Sequence, residues 1–154
     1  MVIKPSITGF IFILMILGAT MPSFGRPSNL PGPIPATVTK VIDGDTVAVE
    51  AYIWPDQWIA VHVRIRGIDA PEIHGKCDFE RQKAEAAKNL VSGYLSEGKA
   101  TLTDINIDKY GGRVVANMIT PEGVNLGQIL LDKGLAHAYS GGHKSGWCKA
   151  FNRD

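Results

Sequence analysis

Three short clusters hold most of the residues in this chain that could do chemistry. They are Asp43-Gly44-Asp45-Thr46, Asp69-Ala70-Pro71-Glu72 and Asp108-Lys109-Tyr110-Gly111-Gly112-Arg113, and Arg64 stands five residues ahead of Asp69. Each has a bland reading taken alone. Asp-Gly is a common hairpin turn, Asp69 to Glu72 can be a strand end in solvent, and residues 108–113 can be a polar loop. Taken together they ask for more. Carboxylates brought close to one another repel and require a cation. Calcium suits Asp45 and Asp69, because it accepts carboxylate and carbonyl oxygens in flexible geometry. Two carboxylates fill only part of its roughly six to eight positions, leaving room for water and a phosphate.

That arrangement matches the needs of phosphodiester hydrolysis: an activated water, counter-charge at the phosphorus centre, and help for the leaving oxygen. A metal supplies part of the first two. Guanidinium groups fork onto phosphate oxygens and stay charged at any ordinary pH, and Arg64 and Arg113 offer two of them. Glu72 is then free to orient or deprotonate the water.

The elements that must position these groups follow from periodicity. Thr37–Val41 and Thr46–Glu50 are β-branched and alternate around Asp43-Gly44, which predicts a hairpin. A third strand, Ile59–Ile65, puts Val61, Val63 and Ile65 on one face and Arg64 on the other. From Phe79 to Leu95 the period becomes helical, with Ala84, Ala87, Leu90, Val91 and Tyr94 on one stripe, Asp78 as N-cap and Gly98 as stop. Strands at Ala100–Ile107 and Arg113–Ile119 follow, then a short helix capped by Asn125, striped by Leu126, Ile129 and Leu130, and ended by Gly134. This order predicts an α+β fold, mainly β, around a small five-stranded OB-type barrel.

The ends and the charge add context. Lys4 precedes an apolar run, Ile7 to Ala19, and small residues lead to Gly25, so residues 1–25 read as a secretory signal peptide. An uncleaved anchor is the alternative, although the run is shorter than the ~20 apolar residues that span a bilayer. Residues 26–35 are rich in proline and read as an extended linker, residues 36–148 as one domain and 149–154 as a tail. A secreted or periplasmic monomer, not held at the membrane after cleavage, is expected. The chain has 16 cations and 15 anions, so it has no global field for a polyanion and must bind one through a few placed cations. Cys77 and Cys148, in an oxidising compartment, favour a disulfide closing about 70 residues and contributing roughly 3–4.7 kcal/mol. A zinc site combining them with His74 and His143 is the competing reading.

The four motifs, in this order and approximate spacing, resemble those of thermonuclease-type (staphylococcal) nucleases over about Val38 to Tyr139. The resemblance implies an OB-fold nuclease that depends on calcium, cuts DNA and RNA, and leaves 3′-phosphorylated products. It implies Asp45, Asp69 and the Ala70 carbonyl as calcium ligands, and Arg64, Glu72 and Arg113 as catalytic residues. It further implies Lys109, Tyr110 and Tyr139 as nucleotide contacts. Ala70 stands where the staphylococcal enzyme has threonine, two glycines precede Arg113 instead of one, and Tyr139 matches one of two expected tyrosines. The family's third helix is replaced by Ser140–Cys148, an end that the cysteine bridge is expected to fasten. A non-catalytic OB module that holds single strands is the alternative function. Such modules usually lack a carboxylate or an arginine of the set, and this chain keeps all five.

Overall fold

The computed structural model describes residues 29–148. The expected signal peptide and the 149–154 tail lie outside those residues. In chain order the elements are β1 (Asn29–Leu30), β2 (Ile34–Val41), β3 (Thr46–Trp54), β4 (Gln57–Ile65) and β5 (Ile68–Asp69), then α1 (Asp78–Tyr94), β6 (Lys99–Ile107), β7 (Arg113–Ile119), α2 (Leu126–Asp132) and β8 (His137–Ala138). Five of the strands close on themselves. β2, β3 and β4 form an antiparallel meander, β4 runs parallel to β7, β7 pairs antiparallel with β6, and β6 returns to β2. This is the OB-type barrel that the sequence pattern predicts.

Alternation explains the interior. Val47, Val49 and Ala51 of β3, Val63 and Ile65 of β4, Leu102 of β6, and Ala116 and Met118 of β7 are all buried. Ala87 and Val91 of α1 and Leu126, Ile129 and Leu130 of α2 join the same core. The Asn125 side chain caps α2 by accepting from Gly127 N at 2.9 Å and Gln128 N at 3.4 Å. The cap of α1 falls one residue earlier than the sequence predicts. Cys77 is the N-cap and makes no side-chain bond there, while the Glu80 carboxylate reaches back to accept from Lys76 N at 2.9 Å. An acidic residue near a helix start serves the unpaired amides whether or not it occupies the cap itself.

Two differences matter for the site. Residues 29–35, expected as a free linker, are stitched to the sheet: Ile34–Thr37 pair with Lys99–Leu102, and β1 pairs with β6. Proline suits an extended strand end as well as a linker, so composition does not separate the two. The Asp43-Gly44 turn is also tighter than a hairpin pattern conveys. A Cβ on Gly44 would lie 2.7 Å from Ala87 Cβ and 2.9 Å from Ala70 Cβ. Glycine is needed here because the turn is pressed onto α1 and onto the segment after β5.

Candidate active site at the barrel rim

The turn between β2 and β3, the end of β4 and the strand β5 converge at one rim. Asp43 Oδ1 accepts from Asp45 N at 3.1 Å, a local side-chain turn that folds the Asp45 carboxylate inward. Ile65 N donates to Asp45 O at 2.8 Å, which ties the turn to β4. Thr46 pairs with Arg64 in the β3–β4 register. β5 pairs with β8 through Asp69 and His137, a two-residue sheet too short for any periodicity to announce. It places Asp69 beside the turn.

Asp45 is 5% exposed and Asp69 3%. The Arg64 guanidinium joins them, with Nη1 at 2.9 Å from Asp45 Oδ2 and Nη2 at 3.2 Å from Asp69 Oδ1. Asp45 Oδ2 also accepts from the Ala70 amide at 3.1 Å, and Asp45 Oδ1 from Thr46 Oγ1 at 2.9 Å. Even so, burial pushes the Asp45 carboxyl up to about 6, with Asp43 adding to the push against Arg64, Ala70 and Thr46. Burial works against the Arg64 charge too, but Asp45 and Asp69 outweigh it and hold Arg64 above its ordinary value.

The second wall is a loop. Arg113 opens β7, and its Nε donates to Asp108. Burial raises the Asp108 carboxyl, but the bond and charge of Arg113, with the backbone amides of Tyr110 and Lys109, together outweigh it and hold Asp108 below its usual range. The Arg113 guanidinium sits 5.7 Å from the Tyr110 ring centre and Lys109 Nζ 4.8 Å from it. Tyr110 is exposed. Between the walls lies a groove of about 730 Å³ lined by Asp43, Asp45, Arg64, Glu72, Lys109, Tyr110, Arg113, Tyr139 and Lys144, among others. Tyr139 sits under Arg64, whose guanidinium is 5.9 Å from the ring centre. The structure thus brings Asp45, Arg64, Asp69, Ala70 and Glu72 to one rim and sets Arg113, Lys109, Tyr110 and Tyr139 around the same opening.

Lys144 is the residue that sequence reasoning missed. Its Nζ lies 2.8 Å from Asp69 Oδ1 and 3.0 Å from Glu72 Oε1. It belongs to no strand, helix or motif, so the nearby Cys148 was the one signal that this segment is held in place. Cys77 and Cys148 are bonded to each other, with Cα atoms 6.0 Å apart. Both thiols are consumed, so the alternative zinc site with His74 and His143 is not formed. The Asp45 and Asp69 carboxylates are hard oxygen donors, and at Asp45 burial outweighs the counter-charge present. Both traits fit a hard divalent cation.

The family model described as "Staphylococcal nuclease homologue" matches residues 62–149, more than half of the chain. The chain belongs to the staphylococcal nuclease homologue family. Within that family match fall Arg64, Asp69, Ala70, Glu72, Arg113 and Lys144, while Asp45 lies ahead of it. Two proteins, from Escherichia coli and Escherichia coli O157:H7, each bear the name "Uncharacterized endonuclease". Each is 35% identical over 102 residues, covering 66% of this chain and 59% of the relative. The similarity to these nuclease-family relatives therefore spans less than two thirds of their length.

Proposed function

We propose that the chain is a calcium-dependent nuclease that hydrolyses phosphodiester bonds of DNA or RNA at this rim, leaving 3′-phosphorylated products. The observation that carries the reading is the half-buried Arg64 bonded to both of the buried carboxylates, Asp45 and Asp69, beside a groove that Glu72 also lines. A cation and two anions held this far from water serve stability poorly compared with apolar packing. They suit a site that must meet a phosphate and a metal. The family match and the names of the two relatives point the same way.

Asp45 and Asp69, with the Ala70 carbonyl, would hold calcium. When bound, the ion supplies charge against the phosphate and lowers the pKa of a water. The chain's own residues supply the rest. Arg64 presents a fixed cation to the phosphoryl oxygens from the rim, and Arg113 a second from the loop. Arg113 is tied through Nε to Asp108, and among the described residues its terminal nitrogens make no hydrogen bond. They are available for a fork onto phosphate. Glu72 lies more open to solvent and takes the proton of the attacking water. Lys109, Tyr110 and Tyr139 line the path of the nucleotide, where rings can support bases or sugars.

The same reading places the mature protein outside the cytoplasm. The Lys4-led apolar run supports removal of residues 1–25, and the Cys77–Cys148 bond suits an oxidising compartment. Intact mass of exported protein should correspond to a chain beginning near Arg26; a full-length chain in the membrane fraction would contradict it. Among the described residues no helix is long and apolar enough to cross a membrane.

Release of acid-soluble nucleotides from DNA and RNA tests the activity. Release with calcium and none with a chelator is expected. Strand binding without release would instead identify a non-catalytic module.

A further inference from the structure

Lys144 enters the site from a segment that lies between β8 and Cys148 and contains no strand or helix. Its ammonium contacts Asp69 Oδ1, the same oxygen that Arg64 Nη2 reaches, and bridges it to Glu72 Oε1. Asp69 is buried, whereas the Lys144 side chain is 47% exposed, so the lysine covers the carboxylates from the solvent side. Its placement is fixed from both directions. Upstream, Tyr139 N donates to Gly67 O at 2.8 Å and the Tyr139 hydroxyl to Gly142 O at 3.1 Å. Downstream, Trp147 stacks on His137 with ring centres 3.9 Å apart, and Cys148 is bonded to Cys77, five residues past Glu72.

We propose that Lys144 is a resident counter-ion of the metal site, tethered by the Cys77–Cys148 bond, which a divalent cation must displace from Asp69 and Glu72. The inference rests on the calcium site proposed above. A carboxylate oxygen that already serves an ammonium is a poor ligand for a second cation, because the two like charges would lie within a few ångströms. A tether keeps the effective concentration of the competitor high without any new contact. Lys144, the nearer and more exposed of the two cations on that oxygen, therefore weakens the hold of the site on its metal.

Calcium titration by calorimetry, on purified protein with its disulfide intact, tests this without recourse to activity. Lys144→Met should bind calcium more tightly than the parent, by roughly 5- to 150-fold, the usual range for coupling between two bound groups. Lys144→Arg keeps the cation and should stay near the parent. The paired Cys77→Ser, Cys148→Ser variant should shift in the direction of Lys144→Met, by less. Equal or weaker calcium binding by folded Lys144→Met overturns the inference. Asp69→Asn separates the two readings. A calcium site lost in Asp69→Asn but indifferent to Lys144→Met defeats the counter-ion alone, whereas calcium binding unchanged in Asp69→Asn removes the site and the counter-ion together.

Discussion

Arg64 and Arg113 flank one groove but are held in opposite ways. The Arg64 side chain is 13% exposed, sits between two buried carboxylates, and springs from the end of β4, where it is paired with β3 and β7. The Arg113 side chain is 29% exposed, has a single carboxylate partner, and follows Gly111 and Gly112, both at φ +69°. One wall is built between barrel strands, and the other is the 108–112 loop with Arg113 at the first position of β7. Rigid elements hold chemical groups at fixed positions, while loops tolerate substrates of differing shape. The difference also assigns each arginine a separate cost. Under the proposed function Arg64 is tied to stability as well as to chemistry, and Arg113 more to chemistry.

The sharpest way to break that contrast is truncation. Arg64→Ala strands Asp45 without its cation and should cost about 3–5 kcal/mol, the usual penalty for breaking a buried pair. Chemical denaturation of the variant measures it, and a loss no larger than that of Arg113→Ala would erase the distinction.

Asp45 gives the next largest effect. Its folded carboxyl is raised from 3.8 to about 6, so the folded state takes up a proton more readily than the unfolded chain. The stability this contributes is fully present below pH 3.8 and is lost as pH rises through about 6. Asp45→Asn should therefore stabilise metal-free protein at pH 7 by about 1–3 kcal/mol, at ~1.4 kcal/mol per unit. The gain should fade as pH falls through that window. Urea midpoints of parent and variant across the range check both sign and window.

Smaller effects belong to the loop. Gly111→Ala or Gly112→Ala forces a side chain into left-handed backbone and should cost roughly 1–2 kcal/mol, read from the thermal midpoint. Arg113→Ala leaves the buried Asp108 short of one donor and should cost about 1–2 kcal/mol, less than Arg64→Ala.

Legibility in the sequence followed the same division. The barrel strands were readable because β-branched residues alternate through Val47, Val49, Val63 and Ile65, and α2 because Asn125 precedes its apolar stripe. The β3–β4 hairpin runs further than its pattern, to Trp54 and Gln57. Tyr52, Trp54, Trp58 and Ile59 are apolar yet exposed there, which hides the alternation. The rim residues were legible because motif spacing marks them. Lys144 was not, since its partners Asp69 and Glu72 are over seventy residues away in sequence and a long-range ion pair leaves no local period. Gly44 was read as a turn former, and only packing shows that it is a contact point.

Turnover of three conservative variants tests the central claim most directly. Arg64→Lys and Arg113→Lys keep the charge and remove the fork, and Glu72→Gln keeps the shape and removes the proposed base. Measured on folded protein with saturating calcium and DNA, each arginine variant should lose roughly 100- to 1,000-fold, as when a preorganised donor is removed. Glu72→Gln should lose at least ~10²–10⁴-fold, and nucleotide binding should change far less in all three, because the site favours the transition state. Hydrolysis by all three within about threefold of the parent, a barrier change of under ~1 kcal/mol, would contradict a phosphodiesterase site at this rim.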